Sequence, residues 1–343
     1  MPTVLGLDLG KHTFRAIEAE RTKKGIVIVR SGVYDNPKID LEDPSKDAAK
    51  EYSNSIRNFM HDSGFGTSKV VLALEEKDVF MRVINVPMMS DKELRSSITF
   101  EAEQYIPLPL KDVNLSYQKL EIPTSHKGKI SVQLVAAKKD VIDKYIAIVK
   151  AAKLIPIGVE PEALSVGRAL TTDTTNEANL ILHSGYQKSL IIITLKGSVV
   201  FTRTLSIGGD AMTRTIEQNL HLDYMQAEEY KKAYGLNEDQ AEGKIHGALK
   251  PLFENIINEV GRAQMFFTTH HPGVNINRVV LSGGTALMPG LLLFMANNLN
   301  VEVELANPFR DITFFKDIAN KKDWHVENGP LFSVPMGLAL KEL

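Results

Sequence analysis

Apolar positions along this chain recur with two different periods, and the switches between them mark out its elements. In VLGLDLGKHTFRAIEAE, residues 4–20, an apolar run (Val4, Leu5, Leu7, Leu9) breaks at Asp8 and Gly10 and a second, alternating run (Phe14, Ala16, Ile17) follows, the pattern of a β-hairpin. A Pro- and Asp-rich loop is expected over 35–44. Beyond it a helix places Tyr52, Ile56, Phe59 and Met60 on one face and closes near Gly64. KVVLALEEKDVFMRVINVP, residues 69–87, reads as strand, turn, strand. Ser90 and Glu93 then form a capping box, Leu94, Ile98 and Tyr105 follow at helical spacing, and Pro107 and Pro109 stop the helix. GKISVQLVAAK (128–138) alternates as a strand, and 140–154 forms a helix with Ile142, Tyr145, Ile146 and Val149 inward.

The second half starts again in the same style. NLILHSGYQKSLIIIT (179–194) is another strand, glycine turn and strand, and its Gly185 lies half a chain beyond Gly10, which points to an internal duplication. A strand runs into the Gly208–Gly209 turn and a helix, and a further helix is closed by Gly235. A long helical region covers about 240–270, with Pro251 as a break or kink. NRVVLSGGTALMPGLLLFMANNL (277–299) reads as a buried strand, a double glycine and a helix with Pro289 near its first turn. LFSVPMGLAL (331–340) makes a last short helix. The order is mixed α/β.

Composition narrows the classes. A length of 343 residues suggests two domains, and a net charge of −2 gives no general pull toward nucleic acid or anionic lipid. Zero cysteines exclude disulfides and thiolate metal sites, and no secretory signal precedes the first strand, so a cytoplasmic address is expected. Apolar stretches such as SLIIIT (189–194) are too short to span a bilayer, so any membrane association would come through a partner.

Two stretches carry candidate chemistry. At the first hairpin, Gly10 would let backbone N–H groups approach an anion, Thr13 could donate to it and Asp8 could hold Mg²⁺ or its waters; the same residues also serve an ordinary turn. Gly283 and Gly284, after a continuous apolar strand, expose backbone on which a ring or ribose could lie, or simply make a tight connection into a helix. His270–His271 before Pro272 reads as a helix-end pair, since no third ligand is evident, and Trp324 as a packing or loop anchor.

Order and spacing together say more than either stretch. The two hairpins, the Gly208–Gly209 turn, the A-E-x-x-K helix at 227–231 and the late G-G-T segment resemble the actin, Hsp70 and sugar-kinase superfamily. That resemblance implies a two-domain actin-like α/β fold, built from duplicated ribonuclease H-like halves, with ATP in a cleft between them. On it, Asp8 stands toward Mg²⁺ and Gly10, Lys11 and Thr13 surround the phosphates; Gly283, Gly284 and Thr285 match the adenosine motif; Glu228 and Lys231 match the helix pair facing ribose and adenine; Gly208 and Gly209 match the turn before it.

The stretch 83–121, VINVPMMSDKELRSSITFEAEQYIPLPLKDVNLSYQKLE, resembles the signature of the type IV pilus assembly family PilM, through Pro87, Glu93, Leu94, Glu101, Ala102, Glu103, Tyr105, Ile106, Pro107, Pro109 and Leu110. The resemblance implies a small α+β subdomain inserted over 78–150, a first domain of 1–77, 151–175 and 328–343, and a second of 176–327 whose helical part covers about 211–272. It further implies an ATP-binding scaffold of the inner-membrane pilus platform. Its partner would be the short N-terminal cytoplasmic tail of a PilN-like membrane protein, docked in a groove at the insert beside the end of the 90–105 helix. Other platform proteins would lie near it, and self-association stays open. The sequence departs from the superfamily in two places. His183 stands where the second phosphate hairpin ordinarily has an acid, and Gly158 where the connecting stretch usually carries Asp, although Glu160 remains. Gly185 and Ser189 could still present donors. With Asp8 and Glu160 as the remaining catalytic candidates, turnover is expected to be slow or absent, because an imidazole offers Mg²⁺ neither charge nor hard oxygen. A sugar-kinase-like phosphotransferase and an FtsA-like filament protein are the alternatives.

Overall fold

The computed structural model describes residues 3–36, 41, 45–123, 128–171 and 177–343, so the loop expected over 35–44 and the domain boundary expected at 175–176 fall largely outside it. The chain runs β1 (Thr3–Leu9), β2 (Thr13–Thr22), β3 (Gly25–Asp35), α1 (Lys46–Asp62), β4 (Lys69–Leu74), β5 (Val79–Pro87) and α2 (Asp91–Glu103). It continues with β6 (Val113–Leu120), β7 (Lys129–Lys138), α3 (Lys139–Ala151), β8 (Ile155–Pro161), α4 (Glu162–Leu170), β9 (Ala178–Ser184), β10 (Ser189–Leu195) and β11 (Ser198–Leu205). The remainder is α5 (Gly209–Leu220), α6 (Tyr224–Tyr234), α7 (Lys244–His270), β12 (Ile276–Ser282), α8 (Leu291–Asn298), β13 (Glu302–Leu305), β14 (Thr313–Phe314), α9 (Lys322–Glu327) and α10 (Ser333–Lys341). Two compact units result: residues up to 169 with 309–325 and 334–343, and residues 170–308 with 326–333.

The first unit is built on a six-stranded sheet, β14-β3-β2-β1-β4-β8. β1 pairs antiparallel with β2 and parallel with β4, which in turn pairs parallel with β8. Helix α1 forms because Ser45 caps its first turn by accepting from the Ala48 N–H, while Tyr52, Ile56 and Phe59 line one face. Those three side chains are fully buried, at ~1.5–3 kcal/mol each. Helix α3 joins the same core through Tyr145, Ile148 and Val149; it lies within the span expected for the insert, yet it packs on α1, where the Ser53 hydroxyl donates to the Ile148 carbonyl. The inward residue is Ile148 rather than Ile146, because Ile148 lies three residues on from Tyr145, on the same face, whereas Ile146 lies one on and stays partly exposed.

Between β4 and β8 the chain leaves this sheet for a separate antiparallel one, β5-β7-β6, covered by α2. β4 and β5, adjacent in sequence around a short turn, therefore lie in different sheets. The capping box of α2 is present as expected: Glu93 N–H donates to the Ser90 hydroxyl, and Ser90 N–H to the Glu93 carboxylate at 2.8 Å.

The second unit repeats the plan. Its sheet runs β11-β10-β9-β12-β13, with β9–β10 and β10–β11 antiparallel and β9–β12 and β12–β13 parallel, the same order and directions as β3-β2-β1-β4-β8. The duplication inferred from two glycine turns thus extends through five strands. Every residue of β9 and β10 is buried, which is why those strands read as continuous apolar runs rather than alternating ones. Helix α7 continues through Pro251 without ending. α8 begins at Leu291, two residues past Pro289, with Gly290 as its N-cap. Residues 309–325, expected in the second domain, pack on the first unit instead: Thr313 and Phe314 extend its sheet beside Val27 and Ile28, and His325 Nε2 lies 2.5 Å from the Ser31 hydroxyl. Among the described residues no helix is long and apolar enough to cross a membrane.

Candidate functional site

In the first unit the candidate residues sit where β1 turns into β2. Asp8 lies opposite Arg15 in the ladder, and Arg15 Nη1 is 3.5 Å from Asp8 Oδ2. The turn between them is held from outside by Asn36, just past the end of β3, whose backbone N–H donates to the His12 carbonyl (2.8 Å) and whose Nδ2 donates to the Lys11 carbonyl (2.9 Å). Gly10, Lys11 and Thr13 are therefore backbone neighbours in one braced loop.

Glu160 is placed differently. It is 4% exposed at the end of β8, and Arg168 grips both of its oxygens, Nη1 to Oε1 at 2.5 Å and Nη2 to Oε2 at 2.8 Å, with Lys341 Nζ 3.7 Å from Oε2. A carboxylate with both oxygens so occupied is organised to hold α4 and α10 on the sheet rather than to activate water.

In the second unit most of the candidates converge. The last ladder pairs of the two hairpins are Leu9 with Phe14 and Ser184 with Ser189, so the loops 10–13 and 185–188 superimpose in register and His183 takes the place of Asp8. The Gly185 N–H closes its loop on the Lys188 carbonyl at 2.9 Å, and the Gly185 carbonyl accepts from the Gly209 N–H at 3.0 Å. Gly208 abuts this loop so closely that a Cβ there would lie 2.5 Å from the Tyr186 carbonyl oxygen, which accounts for glycine. Gly283 has φ +84°, and a Cβ on it would lie 2.3 Å from the Ser184 carbonyl oxygen, so the ends of β9 and β12 meet backbone to backbone.

Gly209 is the meeting point. A Cβ built on it would have Lys231 Nζ at 3.5 Å, Thr285 Oγ1 at 3.7 Å and the Gly185 carbonyl at 3.8 Å. Lys231, 9% exposed, donates to the Gly209 carbonyl (3.0 Å), to Thr213 Oγ1 (2.8 Å) and to Glu228 Oε2 (2.5 Å). Burial pushes the Lys231 ammonium down, against the hydrogen bond to Glu228. Burial works to raise the Glu228 carboxyl, but the hydrogen bonds from Lys231 and Thr213 outweigh it and hold that group below the ordinary carboxylate range. The pair is thus fixed as an ion pair in a largely dry corner.

A second network, with no signal in the sequence reading, bolts the 185–188 loop to α5 and α6. Tyr186 OH donates to Asp210 Oδ1 (2.7 Å), Tyr224 OH donates to the same oxygen (2.9 Å), and Arg214 Nε donates to Oδ2 (2.9 Å). Burial raises the Asp210 carboxyl less than these three donors lower it, so its pKa falls; burial and the shared carboxylate raise the Tyr186 phenol. Motif reading does not reach Arg15, Asn36, Thr213, Tyr186 and Asp210, because their partners lie across ladders or on other helices.

Two candidates are committed inside the protein. Ser189 is fully buried and donates to the Ile207 carbonyl at 2.6 Å, so its hydroxyl fastens the loop after β11 instead of facing a ligand. His183 is buried with Nδ1 2.9 Å from the Ser282 hydroxyl. The Mg²⁺ implied by the resemblance needs a shell of hard oxygens. Asp8 is countered by Arg15, Glu160 is held by Arg168, and His183 offers nitrogen, so the residues present do not fit that ion. Among the described residues no group of three or more His, Asp or Glu side chains is placed to hold a metal. His270 and His271 end α7 stacked on Phe266 and Phe267, and Trp324 packs edge-on against His325.

Comparison with known proteins bears on the fold and the family. The chain aligns with a solved structure described as a PilM–PilN type IV pilus biogenesis complex at TM-score 0.82 and 24% identity, covering 98% of each chain. It aligns with the ethanolamine utilization protein EutJ of Carboxydothermus hydrogenoformans at TM-score 0.58 and 15% identity (99% and 90% covered), and with ADP-bound MreB5 of Spiroplasma citri at 0.54 and 12% (100% and 96%). In sequence, EutJ of Escherichia coli K12 is 29% identical over 101 residues, 29% of this chain and 31% of that protein, so the match spans under a third of the curated relative. These likenesses give an actin-like α/β fold. The family model described as type IV pilus assembly protein PilM matches residues 6–343, and the chain belongs to that family.

Proposed function

We propose that the protein is a nucleotide-binding scaffold of the type IV pilus platform, which holds ATP and turns it over slowly or not at all. The observation that carries this reading is the register equivalence of the two hairpins: one topology is used twice, but only the first copy keeps an acid, Asp8, while the second has His183. The convergence of Gly209, Thr285, Lys231 and Glu228 supports the adenosine end, and the committed state of Glu160 supports slow chemistry. Mg²⁺ is left out of the reading because its donors do not fit. The named complex of a similar structure with PilN supports a partner of that kind, a membrane protein whose short N-terminal tail docks on the β5-β7-β6 insert and so places this chain at the membrane.

Calorimetry and thermal shift with ATP test the first half. Saturation at 100 times Kd would add ~2.7 kcal/mol of stability, and absence of both heat and shift at millimolar ATP would overturn it. A phosphate-release assay tests the second: turnover at or above ~1 s⁻¹, the low end of ordinary enzymes, would show that a catalytic acid is at work after all.

A further inference from the structure

We infer that this chain meets the phosphates of its nucleotide with lysine, without a divalent metal; the inference rests on the nucleotide reading above. In the register shared by the two hairpins, Lys188 occupies the position in the second loop that Thr13 occupies in the first. Lys188 is half-buried, and among the described residues its ammonium makes no hydrogen bond or ion pair. The two carboxylates in these networks are already answered among the described residues: Asp210 by Tyr186, Tyr224 and Arg214, and Glu228 by Thr213, Lys231 and Lys232. A dication at this loop would meet the like charge of Lys188 with no free carboxylate to offset it. A phosphate oxygen there would gain a charge-assisted hydrogen bond instead.

The first loop, taken by itself, holds as many cations as acids. Asp8 is countered there by Arg15, Lys11 stands in the loop itself, and Asp35 lies opposite Thr13 in the ladder. Free ATP carries more negative charge than its magnesium complex, so the cationic loop at Lys188 favours the metal-free form. The superfamily's division of labour, in which acids hold a metal and the metal holds phosphate, is here replaced by cations that meet phosphate directly.

The test is calorimetry on the full chain with ATP in EDTA and in excess Mg²⁺, together with adenosine as a phosphate-free probe. The expected result is an ATP Kd in EDTA within about threefold of that in Mg²⁺, and a Lys188→Gln variant that weakens ATP by about tenfold (~1.4 kcal/mol) while leaving adenosine unchanged. ATP binding that weakens tenfold or more in EDTA overturns the inference and leaves the nucleotide reading standing. Unchanged ATP affinity in Lys188→Gln overturns the role of that lysine. No heat from ATP in either buffer overturns the nucleotide reading itself. Retained adenosine binding in the variant shows that it folds.

Discussion

Arg168 Nη1, besides gripping Glu160, donates to the Gly337 carbonyl at 2.8 Å, so one guanidinium ties the end of β8, helix α4 and helix α10 together. The carboxylate is buried and the arginine side chain about one-third exposed (32%). Removing the cation strands a buried charge, and Arg168→Ala should cost about 2–3 kcal/mol, toward the low side of what a broken buried pair costs because water reaches the guanidinium. Urea denaturation measures it. A loss below ~0.5 kcal/mol would mean that solvent or Lys341 replaces the pairing.

Glu76, in the short turn between β4 and β5, closes the first turn of α4 by accepting from the Ala163 N–H at 3.1 Å. Burial raises its pKa from 4.5 to about 7; that hydrogen bond opposes the rise and the nearby Glu162 carboxylate adds to it. The folded state therefore holds this proton more tightly than the unfolded chain does. The resulting stability is fully present below pH ~4.5 and is lost as pH climbs through about 7, on the order of 3 kcal/mol in all. Glu76→Gln keeps an acceptor for Ala163 without the charge, so it should flatten the pH profile and be more stable than the parent at pH 8. Equal stability of the two at pH 8 would contradict the burial of the charge.

What could be read in the sequence was local. The hairpin turns, the Ser90–Glu93 capping box and the late double glycine are announced by residues next to one another, and each forms where expected. What could not be read depends on which strand lies beside which. Glu160 looks catalytic until α4 turns Arg168 back onto it; Ser189 looks like a phosphate donor until β10 buries it against Ile207. Asn36, which braces the first loop, follows a strand that the hairpin pattern alone did not reveal. Thr213 faces Lys231 and Glu228 only because α5 and α6 pack side by side.

Lys231 spends its protons on Gly209, Thr213 and Glu228, so on the proposed reading its task is to set the shape of the adenosine corner. Lys231→Met should leave Glu228 half-buried with only Thr213 and Lys232 as partners, lowering stability by about 2 kcal/mol. It should also weaken adenosine and ATP by the same factor, since both share that corner, in contrast to a phosphate contact. Calorimetry with the two ligands decides it: a loss confined to ATP would move Lys231 to the phosphates.

The proposed docking of a partner's tail on the insert can be given a specific place to test. Beside the end of α2, Ile106 is buried and Tyr105 and Leu108 are partly buried against the insert's core. An open pocket of about 420 Å³ lies at the start of α2, where Asp91, Leu94 and Arg95 face Tyr117, Lys119 and Glu121 of β6 and the residue beyond it. Leu94 and Tyr117 give it an apolar floor and four charges give it a rim. A short tail loses ordering entropy on docking, so micromolar affinity, about −8 kcal/mol, is the scale expected. Because the rim is charged, binding should weaken with salt, contrary to what a wholly apolar groove would show. Fluorescence anisotropy with a synthetic PilN-like N-terminal peptide on the full chain measures this. Tyr117→Ala should weaken the peptide at least about fivefold, roughly 1 kcal/mol, and Arg95→Glu should change the salt dependence. Unaltered binding in both variants would place the tail elsewhere on the insert, and no binding to the parent chain would remove the PilN-like partner from the proposed function.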